Sequence, residues 1–213
     1  MYRSSIAEKY FQTGNIKTSD LFAYFDFVQE QEQYFNPNSL KVLHSVREIV
    51  KRKNGDYSSH TAERSAIRNF ELGEAISGVS PFSAILSRLS DKIGRLVNLL
   101  EEYAGKAVEY FDRTNNVLNQ EEYDGCMILL DNIIEELVIT TRKHEQPNIT
   151  LLMGISCSLV ISIEKLLSQV SIQHTVNESL IDTAKDLVGY LSLAGAILFF
   201  EQKENKHEDL SRI

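Results

Sequence analysis

Toward the C-terminal end of the chain, Glu178, Asp182, Asp186 and Tyr190 stand four residues apart. On a helix that spacing puts all four on one face, and like charges one turn apart repel by roughly 0.2–0.5 kcal/mol per pair. A three-carboxylate ladder is therefore unfavourable unless something offsets it, and a divalent cation or a basic partner helix would each do so. Mg²⁺ takes hard oxygen ligands and is commonly held by one or two carboxylates together with substrate phosphates. Asp182 and Asp186 are a candidate pair of that kind, while Lys185 offers plain compensation from the same helix. A second charged set, Arg88, Asp91, Lys92 and Arg95 with Asn98 beyond, lies on one side of an earlier helix. Its ordinary reading is a solvated face with an Asp91–Arg95 pair. Its chemical reading is a phosphate cradle, because Arg makes bidentate contacts with phosphate oxygens.

The elements that would position these residues are helices. Leu86, Leu89, Ile93, Leu96 and Leu100 form an apolar seam on the opposite side from Arg88 and Arg95, and Leu180, Ala184, Leu187, Leu191, Ala194 and Leu198 form another. Each of the three prolines sits beside a capping residue ahead of an apolar periodic stretch: Asn36-Pro37, Ser80-Pro81 and Pro147-Asn148 read as helix starts. No Asn-Gly hairpin signal is present, and the β-branched residues follow a 3.6-residue period. The expected fold class is all-α, with helices near 3–12, 19–34, 38–53, 66–76, 81–113, 120–144, 148–170 and 177–204. Residues 54–66, with Gly55, Ser58, Ser59 and Thr61, read as the clearest loop, and residues from 203 onward as a charged end that frays. Recurrent small residues (Gly154, Ser156, Ser158, then Gly189, Ser192, Ala194, Gly195, Ala196) predict close helix approach.

Composition agrees and adds little chemistry. The 213 residues include 10 Gly and 3 Pro, about half of average usage, so few tight turns are available and long elements follow. With 22 basic and 30 acidic residues the net charge is −8, which argues against bulk binding to nucleic acid or an anionic membrane. The charge is uneven: residues 41–95 hold ten basic and six acidic residues, a local +4, leaving −12 elsewhere. A small polyanion such as a nucleotide suits the basic quarter, as does a chance fluctuation on a solvated surface. Cys126 and Cys157 fall in apolar helical patterns without metal spacing, so buried free thiols are expected. No signal peptide is visible, and the apolar runs 149–163 and 187–200 fall short of the ~20 residues of a membrane span. The expectation is a cytoplasmic protein with no membrane partner. Among five histidines no paired spacing occurs, and His60, near Asp56 and Tyr57, is the one of interest.

Four pieces in order carry a resemblance: Lys53-Asn54-Gly55-Asp56-Tyr57, then Asn69-Phe70-Glu71, then the stretch from Arg88 through Asp91, Lys92 and Arg95 to Leu96, and finally Glu178 through Asp182 and Asp186 to Tyr190. Over roughly residues 40–100 and 177–200, the chain resembles the phage and prophage branch of the all-α nucleotide pyrophosphohydrolase superfamily, the MazG-like and dimeric dUTPase-like proteins. The resemblance implies a four-helix-bundle core in which carboxylates hold Mg²⁺ against the phosphates of a nucleoside triphosphate while water releases pyrophosphate. By position, Asp91, Asp182 and Asp186 would bind Mg²⁺, with Glu178 assisting or activating the water, so that Glu178, Asp182 and Asp186 form the catalytic set. Arg88, Lys92 and Arg95 would hold phosphates. Asp56 falls in the matched loop; Tyr57 and Phe70 would sandwich a base whose edge Asn69 reads, although Phe70 is equally well a core anchor.

Two departures from the family pattern stand out. Lys92 and Arg95 occupy places where the hydrolytic enzymes carry further Glu, making a poorer metal cage and a better phosphate cradle; Glu71 and Glu74 form an ExxE on the preceding segment. About 75 residues also separate the two matched helices. The expected organisation is a single domain over 1–213, with an N-terminal helical extension at 1–37 and a helical insertion at 105–176 that extends the bundle, forms a dimer interface or makes a lid. The resemblance further implies a small-molecule nucleotide partner and homo-oligomerisation. Two rivals remain: a nucleotide-binding protein without turnover, favoured by Lys92 and Arg95, and a helical structural or partner-binding protein. No nucleophile elbow or P-loop is present.

Overall fold

Seven helices make up the described part of the chain: α1 (Thr18–Gln29), α2 (Pro37–Tyr57), α3 (Arg68–Ser77), α4 (Pro81–Thr114), α5 (Gln120–Lys143), α6 (Ile149–Ser168) and α7 (His174–Ser211). In this computed structural model the described residues are 16–31, 33–57, 67–114, 120–143, 145–168 and 174–211; at 53–57, 68, 107–114, 174–178 and 201–211 the description covers the backbone alone. The class is all-α, and no strand occurs among the described residues. The helix expected at 3–12 lies outside them.

Local chemistry sets the starts. Asn36 Oδ1 accepts the N–H groups of Asn38 and Ser39, both at 2.9 Å, and so caps α2 behind Pro37. Ser80 Oγ accepts from Ser83 N at 3.2 Å and starts α4 with Pro81 in the first turn. Asn148 Oδ1 accepts from Leu151 N at 3.1 Å and starts α6. Gly78 ends α3 with φ +73°, a left-handed conformation open to glycine, and donates its N–H to the Glu74 carbonyl. Boundaries are corrected in three places: the helix expected at 19–34 ends at Gln29, residues 54–57, expected as loop, form the last turn of α2, and the last helix, expected to end at 204 and fray, runs on to Ser211. The good helix formers of 48–53 carry the helix across Asn54-Gly55, since propagation adds a hydrogen bond for each residue fixed. Residues 58–66 of the expected loop lie outside the description.

Helix α7 is the centre of the packing. It lies against α4 and α6 along much of its length and also touches α1 and α2; α5 packs mainly on α6. Both predicted seams are in the core, with Leu89, Ile93, Leu96 and Leu100 buried and Leu86 packed against them, and all six seam residues of α7 buried. The apolar helix of the long insertion is no peripheral addition, because α6 contacts α2, α5 and α7 and buries ten of its residues.

Small residues make this crowding possible. A Cβ added at Gly154 would come within 2.5 Å of the Tyr34 carbonyl oxygen, and one at Gly195 would strike the Tyr24 phenol ring. Tyr24 uses that space to pack on α7, where its ring meets Phe199 at 5.7 Å between centroids. Two buried hydroxyls of α7 are satisfied within their own helix: Ser192 Oγ donates to the Val188 carbonyl at 2.8 Å and Thr183 Oγ1 to the Ser179 carbonyl at 2.6 Å.

The apolar segments are longer than their sequence runs suggested. Ile149–Ser168 spans 20 residues and Ser179–Phe200 spans 22, so both are long and apolar enough to cross a membrane by length and composition; in each, 56% of the most apolar window is buried within the molecule. The expectation that they are too short is corrected. Serine and glycine positions lengthen them, because these residues are helical here without interrupting the apolar character.

Two outcomes follow. Gly195→Ala should cost about 1–3 kcal/mol in urea unfolding, the usual range for overpacking. Gly189→Ala, whose Cβ would meet Val46 and Val50 at an ordinary 3.9 Å, should be neutral or stabilising by up to about 1 kcal/mol. Burial also pushes the Cys126 and Cys157 thiols from 9.0 up to about 12, with Glu122 adding to the shift at Cys126. The folded state thus keeps protons that the unfolded state releases first. Its advantage is complete below pH 9.0 and is lost as pH rises toward about 12. Stability measured by urea unfolding should therefore fall between pH 9 and pH 10.5, and both thiols should resist iodoacetamide at about pH 8 until the protein is unfolded.

Candidate functional site

Helices α4 and α7 run antiparallel, as two cross-helix contacts show. Lys92 Nζ lies 2.7 Å from Asp186 Oδ2, and Arg95 Nη2, one turn further along α4, donates to Ser179 Oγ at 3.0 Å, about two turns earlier on α7. Lys92 retains 19% and Asp186 31% of side-chain exposure, so the pair sits at the edge of the core with water on one side. Of the two ways to offset the carboxylate ladder, the described structure displays the basic partner helix.

The other ladder members divide. Asp182, one turn before Asp186, is exposed; the side chain of Glu178 lies outside the description. Lys185 turns away to Glu164 of α6, at 3.7 Å, rather than compensating the ladder. Tyr190 receives Phe70 of α3 edge-on, with ring centroids 6.3 Å apart and planes at 81°. Phe70 thus packs on the core through Tyr190, which is its anchoring reading, and Asn69 beside it is exposed. The side chains of Asp56 and Tyr57, and His60 entirely, fall outside the described residues.

On α4, Arg88 Nη1 stands 3.6 Å from Asp91 Oδ2, and both side chains are about two-thirds exposed. The expected i,i+4 partner of Asp91, Arg95, is engaged with α7 instead. Positions 88, 92 and 95 share one face of α4, so the structure brings Arg88, Lys92 and Arg95 together beside Asp186 and Ser179. It does not gather the carboxylates in the same way: among the described residues no group of three or more His, Cys, Asp or Glu side chains could hold a metal ion. Asp182 and Asp186 are one turn apart, but Asp186 is already bridged by Lys92 and Asp91 is paired with Arg88. As arranged, these carboxylates do not fit a Mg²⁺ cage.

Glu71 and Glu74 do not replace the missing ligands. They line a separate cleft with Phe82 at the first turn of α4, and Phe82 lies about 15 Å along the helix axis from Lys92. Two members of the basic quarter are answered by acids outside it: Arg47 reaches Asp26 of α1 at 2.9 Å while stacking over Phe22, and Lys92 reaches Asp186. Sequence reading offered a basic partner helix for the ladder without naming Lys92 as the partner of Asp186, and it did not pair Arg47 with Asp26. The trace of the Lys92–Asp186 pair was present in the opposite signs of two helix faces that both lay beside apolar seams.

Comparison of the chain with protein-family models, curated proteins and solved structures gave no match.

The contribution of the central pair can be measured. A double-mutant cycle with Lys92→Met and Asp186→Asn should give a coupling of about 1–2 kcal/mol, above the usual value for exposed pairs because both groups are largely buried. A coupling near zero in urea unfolding would show that the pair is incidental to the α4–α7 register.

Proposed function

We propose that this chain binds a small phosphorylated ligand of the nucleotide kind at the α4–α7 face and does not hydrolyse it. The observation that carries the reading is the Lys92–Asp186 contact at 2.7 Å, which places an ammonium where a metal-dependent enzyme of this sequence pattern would need an uncommitted carboxylate. Arg88 and Arg95 flank Lys92 on the same face of α4, and two exposed guanidinium groups about two turns apart with an ammonium between them suit contact with successive phosphate groups. Such a face binds an anion through fixed charges and requires no divalent ion for its own contacts. Asn69 and Tyr190 stand on adjoining elements and offer polar and aromatic surface for the rest of the ligand.

A second reading is the Mg²⁺-dependent pyrophosphohydrolase that the resemblance implies, on a four-helix-bundle core. The exposure of Asp182, one turn from Asp186, favours it, because together they could supply the one or two carboxylates that Mg²⁺ commonly takes. This reading requires Lys92 to leave Asp186.

Calorimetry with a panel of nucleoside triphosphates and diphosphates, with and without Mg²⁺, separates the two. The proposal predicts binding without Mg²⁺ that weakens as salt is raised, an at least tenfold loss of affinity in Arg88→Ala/Arg95→Ala, and no pyrophosphate release. Pyrophosphate release that depends on Mg²⁺ and is lost in Asp186→Ala would establish the enzyme instead. Neither binding nor turnover would leave the face with a structural or partner-binding role.

A further inference from the structure

We infer that the outward face of α5 docks an amphipathic helix of another protein, one with Lys or Arg in the middle of its contact stripe and large apolar residues at both ends. Helix α5 packs on α6 and, over a shorter length, on α4, and its inward stripe runs through Cys126, Leu130, Ile133 and Thr140. At 3.6 residues per turn, Ile128, Asp131, Glu135, Val138 and Ile139 fall on the opposite side, and all five are exposed. The middle of this face is acidic. Residues 120–141 hold six acidic residues and no Lys or Arg, and Asp131 and Glu135 stand one turn apart, where like charges repel. Among the described residues neither carboxylate meets a cation. On α7 the corresponding strain is offset inside the molecule, since Lys92 of α4 reaches Asp186. On α5 the offsetting charge has to come from outside.

The ends of the face decide what brings it. Ile128, one turn before Asp131, is 58% exposed, and Val138 and Ile139, one turn after Glu135, are 40% and 38% exposed. A bare cation would answer the carboxylates and leave these side chains in water, and an anionic membrane would be repelled by the middle of the face. A helix with two cations between apolar anchors covers both parts, and the complementary charges fix its register. From Ile128 to Ile139 the face is about 16 Å long, three turns of such a partner. The described residues of a second copy do not supply that helix: the exposed basic residues of α2 and α4 have no exposed large apolar residue on the same element, those being confined to α3, the turn after it and α5. The face uses no residue of the α4–α7 site and does not rest on the function proposed there.

The test uses the full chain and two fluorescein-labelled, alanine-based peptides of about 18 residues, long enough to be helical in water. In one, a stripe at spacings of three and four residues reads Leu-Arg-Arg-Leu; in the other both Arg are Glu. Fluorescence anisotropy at about 0.15 M salt should show binding of the first peptide and none of the second. Affinity for the first should fall at least tenfold in Asp131→Asn/Glu135→Gln and at least tenfold in Ile128→Ser/Ile139→Ser, each checked for an unchanged circular dichroism spectrum. It should stay the same in Glu74→Gln/Glu145→Gln, which removes equal charge from exposed positions elsewhere. Absence of binding by the Arg peptide would overturn the inference, as would full affinity in either folded α5 variant or an equal loss in the Glu74 and Glu145 variant.

Discussion

A helix touched by neighbours on four sides can keep almost none of its circumference for water, and α7 is such a helix. Between Leu180 and Leu198 it buries Leu, Ala, Val and Ile together with Gly195 and two serine or threonine hydroxyls bonded to its own backbone. Close approach is the constraint from which the rest follows. Ridges and grooves interlock only where the side chains at the crossings are small enough, so Gly195 admits the ring of Tyr24 and Gly154 on α6 admits the backbone at Tyr34. The same crowding explains the alkaline shift of the interior: Tyr24 is raised from 10.0 to about 12 because burial outweighs the opposing effect of a hydrogen bond with Thr150, and its hydroxyl donates to the Met153 sulfur at 3.8 Å.

Close packing around α7 restricts where charge can be placed. Its intermediate residues, including Lys185, Asp186 and Tyr190, lie at seams between neighbouring helices, and each meets a residue from another element: Glu164, Lys92 and Phe70 respectively. Charges at such seams must be complementary, because an isolated charge at the core edge is costly while a matched one also fixes the orientation of its helix. Lys92 and Arg95 therefore do two things at once. They hold α4 in antiparallel register on α7, and they gather positive charge at one place on a chain whose net charge is −8.

The sequence made much of the fold legible, for identifiable reasons. Apolar residues on the α4 and α7 stripes recur at helical spacing, and proline beside serine or asparagine marks three starts with few competing interpretations. The small residues announced close approach before any neighbour was known. Partner choice was less legible: the ladder at Asp182 and Asp186 asked for a cation of some kind, but nothing within its own helix distinguished a metal from Lys92, which is 94 residues away from Asp186. Arg88, Lys92 and Arg95 were recognisable as one face from their spacing. The cleft at Glu71 and Glu74 was not, since the residues that line it come from separate parts of the chain between Ile16 and Phe200.

The position of Lys92 bears on how an anion would be held. Withdrawing Lys92 from Asp186 would leave a carboxylate only 31% exposed without its ammonium, and removing one partner from a largely buried pair costs more than the pair itself contributes. A phosphate that took Lys92 for itself would have to offset that loss. One that approached from the solvent side would keep the pair intact, use the remaining donors of the ammonium, and draw its strongest contacts from the exposed guanidinium of Arg88 and from Arg95, whose fork has five N–H donors and spends only one group on Ser179. The second arrangement is the less costly, and it places the ligand outside the helix seam. Asp186 would then act as the fixed counter-charge of Lys92, and its carboxylate would serve the proposed ligand by holding a cation in place rather than by taking part in chemistry.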